Sequence, residues 1–343
     1  MIAVIIPARN EVDVIRASVA SLLRQSCVDA LQIFVIDDNS TDGTAEAVRQ
    51  AAAQNSHGER VSVINGRPLP SGWSGKLWAV QQGVEPALVL CPEFLLMTDA
   101  DIEHSPENVA TLVRIAEAGD YDLASYMVKL HCRSLAEKLL IPAFVFFFFM
   151  LYPPRWIRDP RRRTAGAAGG CMLIRPAALD HAGGIPAIRQ EIIDDCALAR
   201  AVKQTGGRVW LGLTAETRSL RAYDTFAEIE TMVARTAFNQ LRHSTWLLLG
   251  TVLSMLLVFF LPLVLLASRS PLPVTIGAAA YLLTSAAYLP MVRFYQLNPL
   301  WALTLPLSAA FYVVATMHSA VMYWSGRGGE WKGRTQDAVR SQH

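Results

Sequence analysis

Three long apolar segments near the end of the chain limit most strongly what it can fold into. They cover residues 246–267, 274–292 and 303–324, and the first contains no charged residue. Each is close to the ~20 apolar residues that a helix needs to cross a bilayer. Burial in the core of a soluble domain is the alternative. We predict a membrane domain of about three helices over residues 241–325, followed by a polar basic tail over residues 326–343.

The composition places a different kind of domain before these segments. The chain is 52% hydrophobic and 17% charged, and its apolar excess is concentrated after Trp246. Its net charge of +2 gives no reason to expect a nucleic-acid partner. The five cysteines are far apart and form no C-x-x-C pair, so neither a disulfide framework nor a zinc site is indicated. We expect a folded domain over residues 1–240 with reduced thiols.

Short apolar runs alternate with helical patterns in this first domain. The runs at residues 3–7, 31–36, 61–64 and 94–97 have the length and composition of buried strands, and helical segments follow them. Such alternation is typical of a sheet whose strands are joined by crossover helices. The sequence therefore predicts an α/β fold with a Rossmann-like, mostly parallel sheet and helices on both faces.

Acidic side chains follow two of the predicted strands where each one ends. Asp38 comes shortly after the 31–36 run, and Asp99 and Asp101 come after the 94–97 run. In an open α/β sheet, ligands bind beyond the carboxyl ends of the strands. Two aspartates there can share a hard divalent cation that bridges a nucleotide diphosphate, although D-x-D alone is a weak motif. Asp38 could bind a nucleobase or ribose, or it could close a turn or cap a helix.

Three further motifs each allow a functional and a structural interpretation. Lys76 follows Gly75 at the start of a predicted helix, where it could meet a diphosphate or simply be solvated. The pair Gly169-Gly170 would let a ligand approach the backbone closely, or it could be a plain loop. The pair Asp194-Asp195 opens a helix, where negative charge is favourable. Close carboxylates also raise one another's pKa, so one of the pair could act as a general base.

A second apolar feature interrupts the first domain at residues 135–152. This segment includes the phenylalanine run 146–149, and its uninterrupted apolar part is about a dozen residues, short of the ~20 that span a bilayer. We predict an interfacial helix, with a buried core helix as the alternative. Five arginines follow the segment closely, which suits a helix that lies against anionic headgroups: Arg155, Arg158, Arg161, Arg162 and Arg163.

The order of these motifs resembles that of family 2 glycosyltransferases of the GT-A fold, over about residues 1–240. The motifs are Pro7-Ala8-Arg9-Asn10-Glu11, Asp37-Asp38-Asn39-Ser40, Gly75-Lys76-Leu77-Trp78-Ala79, Asp99-Ala100-Asp101 and Asp194-Asp195. The chain is more similar still to the hopene-associated glycosyltransferases of hopanoid-producing bacteria, which also carry C-terminal membrane spans. That closer similarity lies in Gly66-Arg67-Pro68-Leu69-Pro70, in residues 140–148 and 159–164, and in Ala168-Gly169-Gly170-Cys171-Met172.

The resemblance implies a role for each motif. Asp101 would be the main ligand of a Mg²⁺ or Mn²⁺ ion, Asp99 would face both ribose and metal, and Asp195, beside Asp194, would be the catalytic base. Lys76 would add positive charge at the diphosphate. The nucleotide would be held by Pro7, Ala8, Arg9, Asn10, Glu11 and Asp38. The acceptor region would comprise Gly169, Gly170, Arg161, Arg162 and Arg163.

The resemblance also implies an activity and a location. It predicts an inverting transfer of one sugar from a nucleotide-sugar donor to a lipid acceptor, a hopanoid alcohol or a polyprenyl phosphate. The enzyme would be a multi-pass protein of the bacterial cytoplasmic membrane, with its catalytic domain facing the cytosol. Two departures from the family pattern are informative. Asp194 replaces the usual Glu before the base, and Gln240-Leu241-Arg242-His243-Ser244 stands where processive members have Gln-x-x-Arg-Trp.

Two other classes of protein remain open from the sequence. A catalytically inactive, nucleotide-sensing membrane scaffold predicts a broken set of carboxylates, and the set is intact in this sequence. A nucleotidyltransferase on a similar sheet predicts a glycine-rich N-terminal phosphate loop with a basic residue, which Pro7-Ala8-Arg9-Asn10-Glu11 does not supply.

Overall fold

The structure is a computed structural model that describes residues 1–326 and the backbone of residues 330–331 and 334–335. The rest of the predicted basic tail over residues 326–343 lies outside the described residues. The chain divides into two compact units. The first holds Met1–Leu130 and Tyr152–Arg221, and the second holds His131–Leu151 and the described residues of Ala222–Gly329. The helix predicted at 135–152 thus packs with the second unit, and the predicted boundary at residue 240 stays a prediction.

The strands and helices agree closely with the apolar runs of the sequence. The described strands are β1 (Ile2–Ala8), β2 (Leu31–Asp37), β3 (Val61–Asn65), β4 (Phe94–Met97), β5 (Ile102–Glu103), β6 (Leu123–Lys129), β7 (Met172–Ile174), β8 (Val209–Ser219), β9 (Glu330–Trp331) and β10 (Arg334–Thr335). The described helices are α1 (Val12–Leu22), α2 (Thr44–Ala53), α3 (Gly75–Val89), α4 (Asn108–Ala118), α5 (Leu135–Leu151), α6 (Pro154–Arg158), α7 (Pro176–His181), α8 (Asp194–Gln204), α9 (Phe226–Ala234), α10 (Ala237–Gln240), α11 (Thr245–Met255), α12 (Leu261–Leu266), α13 (Pro271–Phe294) and α14 (Leu305–Trp324).

One sheet organises the first unit. Among the described residues it contains eight strands in the order β3-β2-β1-β4-β7-β6-β8-β5. The neighbours β3-β2-β1-β4 run parallel, β6 and β8 are also parallel, and β7 and β5 run antiparallel to their neighbours. The prediction of a mostly parallel sheet is confirmed. Strands β2 and β3 lie on one side of β1, and β4 lies on its other side. The order in which strands are added to the sheet therefore changes direction between β1 and β4, and ligands are expected beyond the carboxyl ends of these two strands.

Helices cover both faces of this sheet, as predicted. On one face, Val4 and Ile6 of β1 belong to the same buried cluster as Ile15 and Val19 of α1. On the other face α3 approaches closely because it has a glycine at the contact. A Cβ on Gly83 would lie 2.5 Å from Ile36 Cδ1 and 2.7 Å from Ile5 Cγ2. This alternation along β1 follows from the two-residue period of a strand.

The second unit contains most of the apolar helical residues. In the described part of the chain, four helical segments are long and apolar enough to cross a membrane, where the sequence indicated three. They are Leu135–Arg158, Thr245–Leu266, Pro271–Phe294 and Pro299–Trp324. The added segment was judged too short because only its uninterrupted apolar run was counted, whereas the 24-residue segment takes in all of α5, the bend at Tyr152 and Pro153, and α6.

Polar contacts hold α5 within the second unit. Ser308 Oγ donates to Leu139 O at 2.8 Å, and Tyr312 Oη donates to Leu140 O at 2.8 Å. The ring of Phe147 packs edge-on against Phe259, with 5.8 Å between ring centroids.

Candidate active site

The reversal point between β1 and β4 gathers most of the predicted site residues. Pro7 lies near the end of β1, Asp99 follows β4, and Lys76 lies in the first turn of α3. A pocket beside them brings together polar and apolar side chains from distant parts of the first unit. Its lining comprises Pro7, Lys76, Leu77, Val80, Met97, Thr98, Asp99, Gly169, Met172, Ile185, Ile188, Asp194 and Leu198.

Lys76 forms the electrostatic centre of this pocket. Its Nζ lies 2.9 Å from Asp99 Oδ1 and 3.0 Å from Asp194 Oδ2. Burial disfavours the ammonium charge, but Asp194 and Asp99 outweigh that effect, so the pKa of Lys76 is raised above its ordinary value. The solvated-lysine interpretation is therefore wrong: Lys76 is a permanently charged group that links the strand-end aspartates to the helix-opening pair.

Asp195 is held by backbone N–H groups. Its Oδ2 accepts from Gly169 N at 2.8 Å, and its Oδ1 accepts from Cys196 N at 2.6 Å. Burial and the neighbouring Asp194 raise the pKa of Asp195 to about 6, although Lys76 opposes the rise. A carboxylate that titrates close to neutral pH can accept a proton in one step and release it in the next.

Asp101 belongs to a second ionic group on the same rim. Arg221 connects two acids there: its Nε donates to Asp101 Oδ2 at 3.0 Å, and its Nη2 donates to Glu11 Oε2 at 2.6 Å. Ser219 Oγ also donates to Asp101 Oδ2, at 3.3 Å. Burial and the charge on Asp99 raise the pKa of Asp101 even though Arg221 opposes this. The loss of hydration at Asp101 and its repulsion from Asp99 are therefore only partly offset by Arg221.

Arg221 is the site residue that the sequence did not suggest. The apolar residues of β8 end at Leu213, whereas the strand continues through polar residues to Ser219. Its far end pairs with β5, where Ile102 lies opposite Ser219, and this places Arg221 beside Asp101. A single arginine after a polar strand end carries no local signal that could have identified it.

The loops after β1 and β2 form the third part of the site. Arg9 Nη1 lies 3.6 Å from Asp38 Oδ2, and the Asp38 side chain is fully buried. Asn10 Oδ1 accepts from Thr41 N at 2.9 Å, which ties the two loops together. At the start of α2, Asp42 meets the N–H of Thr44. This contact is a local turn just before α2, whose N-cap residue is Gly43.

Gly66 explains how the third strand contributes to these loops. Gly66 N donates to Asp37 O at 2.8 Å. A Cβ on Gly66 would lie 3.0 Å from both Asp37 O and Asp38 Cα. A glycine there lets the chain after β3 close over the backbone of Asp38.

The acceptor region predicted from sequence is divided by the structure. Gly169 lies in the pocket, and a Cβ on it would stand 3.4 Å from Lys76 Nζ and 3.5 Å from Asp195 Oδ2. Gly170 packs against Val128 and Ile102. The three arginines 161–163 lie in an exposed loop after α6 and are absent from the pocket lining in the described part of the chain.

Lys203 fixes the start of the arginine loop. Its Nζ donates to Ile157 O at 2.6 Å and to Thr164 O at 2.8 Å, so the backbone is held on both sides of the arginines. The guanidinium of Arg162 lies 4.5 Å from the ring centroid of Trp156. An exposed tryptophan with cations above it suits a headgroup-level surface.

Whether these residues could hold a divalent cation depends on what completes its shell. Among the described residues, no group of three or more His, Cys, Asp or Glu side chains is placed to do so. Mg²⁺ is commonly bound by one or two carboxylates, with water and substrate phosphates as the other ligands. Asp99 and Asp101 supply that number, and the raised pKa of Asp101 indicates a place where added positive charge is favourable. The residues present fit such an ion.

Comparisons with known proteins agree with this geometry. A family model described as glycosyl transferase family 2 matches residues 3–183. The undecaprenyl-phosphate 4-deoxy-4-formamido-L-arabinose transferase of Aeromonas hydrophila is 32% identical over 133 residues, which are 37% of this chain and 36% of that protein. The protein of the same name from Pseudomonas aeruginosa is 33% identical over 129 residues, which are 36% of this chain and 34% of that protein. The match thus spans about a third of the length of these curated relatives.

A solved structure extends the likeness to nearly the whole chain. The mannosyltransferase PcManGT from Pyrobaculum calidifontis, in complex with GDP-Man and Mn²⁺, superposes with a TM-score of 0.55 at 18% identity. The match covers 94% of this chain and 87% of that one. At this identity the likeness concerns the fold alone, and the predicted GT-A type of fold, with its apolar helices, is confirmed.

Proposed function

The chain belongs to glycosyl transferase family 2, and from this premise we propose that it is a membrane-associated, metal-dependent glycosyltransferase. It takes a nucleotide sugar as donor and moves one glycosyl group to a lipid acceptor. The reaction is a single in-line displacement that inverts the anomeric carbon. The observation that carries the proposal is the arrangement around Lys76: strand-end and helix-opening carboxylates meet in one pocket, beside a carboxylate whose pKa is about 6.

Each polar group has a part in this reaction. Pro7, Ala8, Arg9, Asn10, Glu11 and Asp38 hold the nucleoside. Asp101 and Asp99 would hold Mg²⁺ or Mn²⁺, which supplies charge neutralisation for the diphosphate leaving group. Lys76 adds a fixed positive charge on the pocket side of the diphosphate. Asp195 accepts the proton of the acceptor hydroxyl as its oxygen attacks the anomeric carbon.

The chain path around α5 supports a lipid acceptor. The strands β6 and β7, which precede and follow this helix in the chain, are antiparallel neighbours in one sheet. Two strands of one sheet lie on the same side of a bilayer, so we propose that α5 enters the membrane surface and that the chain returns to the side from which it came. An interfacial helix in the chain, followed by Trp156 and the arginine loop, is the kind of segment that an enzyme acting on a lipid headgroup would require.

The identity of the lipid has two candidates. A hopanoid alcohol agrees with the closer sequence resemblance, and the pKa of Asp195 supports it because a hydroxyl needs a base whereas a phosphate oxygen is already anionic. A polyprenyl phosphate agrees with the names of the Aeromonas and Pseudomonas relatives. We propose the bacterial cytoplasmic membrane as the location, with the catalytic unit facing the cytosol, where nucleotide sugars are made.

The experiment that tests this function is a donor screen. Membranes containing the protein are incubated with a panel of nucleotide sugars, and release of the nucleoside diphosphate is measured with each acceptor class. We expect release with one donor to depend on Mg²⁺ or Mn²⁺. Donor binding without release under any of these conditions would favour the inactive scaffold.

The arginine loop allows a prediction about acceptor delivery. Changing Arg161, Arg162 and Arg163 together to glutamine should lower transfer to a lipid acceptor in vesicles about tenfold or more, since each basic residue near an anionic surface contributes about 1 kcal/mol to membrane binding. Hydrolysis of the donor by water should persist, because the loop is outside the pocket lining among the described residues.

A matched variant controls for the loss of three charges. Arg24, Arg49 and Arg114 are exposed residues of the same unit, and their joint change to glutamine alters the net charge equally. It should leave both activities near wild type. Equal losses of lipid transfer in the two triple variants would contradict a role for the loop.

A further inference from the structure

A buried chain of hydrogen bonds, which the proposed mechanism does not use, leads from α4 to the loop beside Asp195. Asn108 Nδ2 lies 2.9 Å from His104 Nδ1, and His104 Nε2 lies 3.0 Å from Thr98 Oγ1. Thr98 Oγ1 donates to Gly170 O at 2.7 Å. Thr98, His104 and Asn108 are at most 4% exposed. We call this series the Asn108–Gly170 chain.

The positions of the protons follow from the chemistry of these groups. Gly170 O is a carbonyl and can only accept, so the single hydroxyl proton of Thr98 is used there. Thr98 Oγ1 must then accept from His104, which places the ring proton on Nε2 and leaves Nδ1 to accept from Asn108. His104 is neutral in this arrangement, and burial lowers its pKa to about 3. Every bond of the chain is therefore donated in the same direction, from α4 toward the loop.

The backbone continues the series in the same direction as far as Asp195. The peptide whose carbonyl accepts from Thr98 carries the N–H of Cys171, which donates to Ala168 O at 3.4 Å. The peptide of Ala168 O carries the N–H of Gly169, which donates to Asp195 Oδ2 at 2.8 Å. Successive bonds with one direction polarise one another, and the last donor in this series faces a carboxylate.

Ser125 and Thr98 hold the turn around Gly169 from its two sides, so Thr98 controls the direction in which the Gly169 N–H points. Ser125 Oγ donates to Ala168 O at 3.0 Å and accepts from Ala168 N at 2.9 Å, so one side of the turn is fixed there. Thr98 fixes the other side at Gly170 O. The Gly169 N–H lies between these two anchors, and glycine at both 169 and 170 gives the turn no side chain of its own to hold it. Without the Thr98 hydroxyl the second anchor is lost.

We propose that Thr98, oriented by His104 and Asn108, is a positioning residue that aims the Gly169 N–H at Asp195 and so holds the base carboxylate in its reactive place. The inference rests on the proposed function, in which Asp195 is the base. Thr98 should therefore affect turnover rather than donor binding, because none of the groups that hold the nucleotide belongs to the Asn108–Gly170 chain of hydrogen bonds. Small displacements of a catalytic group cost rate steeply.

The test compares three variants by kcat and by the KM for the donor. Thr98→Val removes the hydroxyl and keeps the shape, and kcat should fall about tenfold while the donor KM changes less than about twofold. Thr98→Ser restores the hydroxyl, and kcat should return to within about threefold of wild type. The control is Thr217→Val, because Thr217 is fully buried in β8 and its hydroxyl has no hydrogen-bond partner among the described residues. Its kcat should be unchanged.

Two outcomes would overturn the inference. One is a Thr98→Val enzyme with wild-type kcat, and the other is an equal loss in Thr98→Val and Thr98→Ser. A second measurement tests the direction of the Asn108–Gly170 hydrogen bonds and does not depend on enzyme activity. The ¹⁵N signals of the His104 ring are recorded in the full-length protein and are identified by their loss in His104→Gln. They should show the ring proton on Nε2. A proton on Nδ1 would contradict the chain, and failure of the wild type to transfer any sugar would contradict the proposed function separately.

Discussion

Replacing Asp195 by asparagine should lower the turnover number by about 10²-fold or more and leave donor binding nearly unchanged. Asparagine keeps the shape of the side chain and an oxygen for the Gly169 N–H, but it cannot take a proton from an acceptor hydroxyl. The measurement is kcat with a lipid alcohol acceptor, together with the dissociation constant of the donor nucleotide.

The pKa of about 6 adds a pH dependence to this prediction. The base acts when it is ionised, so wild-type turnover should be half-maximal near pH 6, reach its plateau about one pH unit higher and fall about tenfold for each pH unit well below 6. The residual activity of Asp195→Asn should lack this fall. A wild-type profile that is flat between pH 5 and about 7 would remove Asp195 from the role of base.

Two further variants separate the base from its neighbours. Asp13 lies in the first turn of α1 as Asp195 lies in the first turn of α8, so Asp13→Asn measures what loss of a helix-dipole contact alone does. It should leave turnover unchanged. Asp194→Asn should weaken the hold on Lys76, since Asp194 Oδ2 lies 3.0 Å from Lys76 Nζ. If Asp194→Asn were the damaging change and Asp195→Asn mild, the two roles would be reversed.

Replacing Asp101 by alanine should abolish measurable transfer, and excess chelator should do the same to the wild type. The physical reason is that Asp101 is a half-buried carboxylate whose surroundings raise its pKa, so it gains from a cation that the diphosphate also needs. Calorimetry with the nucleoside diphosphate, with and without Mn²⁺, measures the loss directly. Manganese should strengthen binding to the wild type and have no effect on Asp101→Ala.

Glu103 provides the control for this variant. It lies two residues beyond Asp101 and is paired with Arg218 at 2.7 Å. Glu103→Ala removes a carboxylate from the same segment and should keep the metal response. Full transfer activity of the wild type in excess chelator would refute the metal assignment.

The sequence predicted the parts of the site that depend on local pattern. Asp38, Asp99 and Asp101 could be placed because buried strands are visible as short apolar runs, and parallel strands bring their carboxyl ends to one edge. Lys76 could be placed near the diphosphate only as one of two alternatives. Its actual partners, Asp99 and Asp194, are separated in sequence by 95 positions, and only the folded sheet brings them together.

Other parts had no local signal. The strand β5 has two residues, which is too short for any periodicity, yet its pairing with β8 positions Arg221 beside Asp101 and Glu11. The hydrogen bond from Gly169 to Asp195 is donated by a backbone N–H, so no pattern of side chains in the sequence predicts it. For α5, the apolar run suggested a helix of insufficient length, and the direction of β6 and β7 was needed to argue that it returns to the same side.

The mass of the lipid product decides whether this protein transfers a single sugar to a lipid. The full-length protein in lipid vesicles is given its nucleotide-sugar donor, a divalent cation and either a hopanoid alcohol or a polyprenyl phosphate, with Asp195→Asn as the comparison. We expect one new lipid species, heavier by a single glycosyl group, formed by the wild type and strongly reduced in the variant. A ladder of products, a lipid that carries a nucleotide, or no product despite donor binding would contradict it.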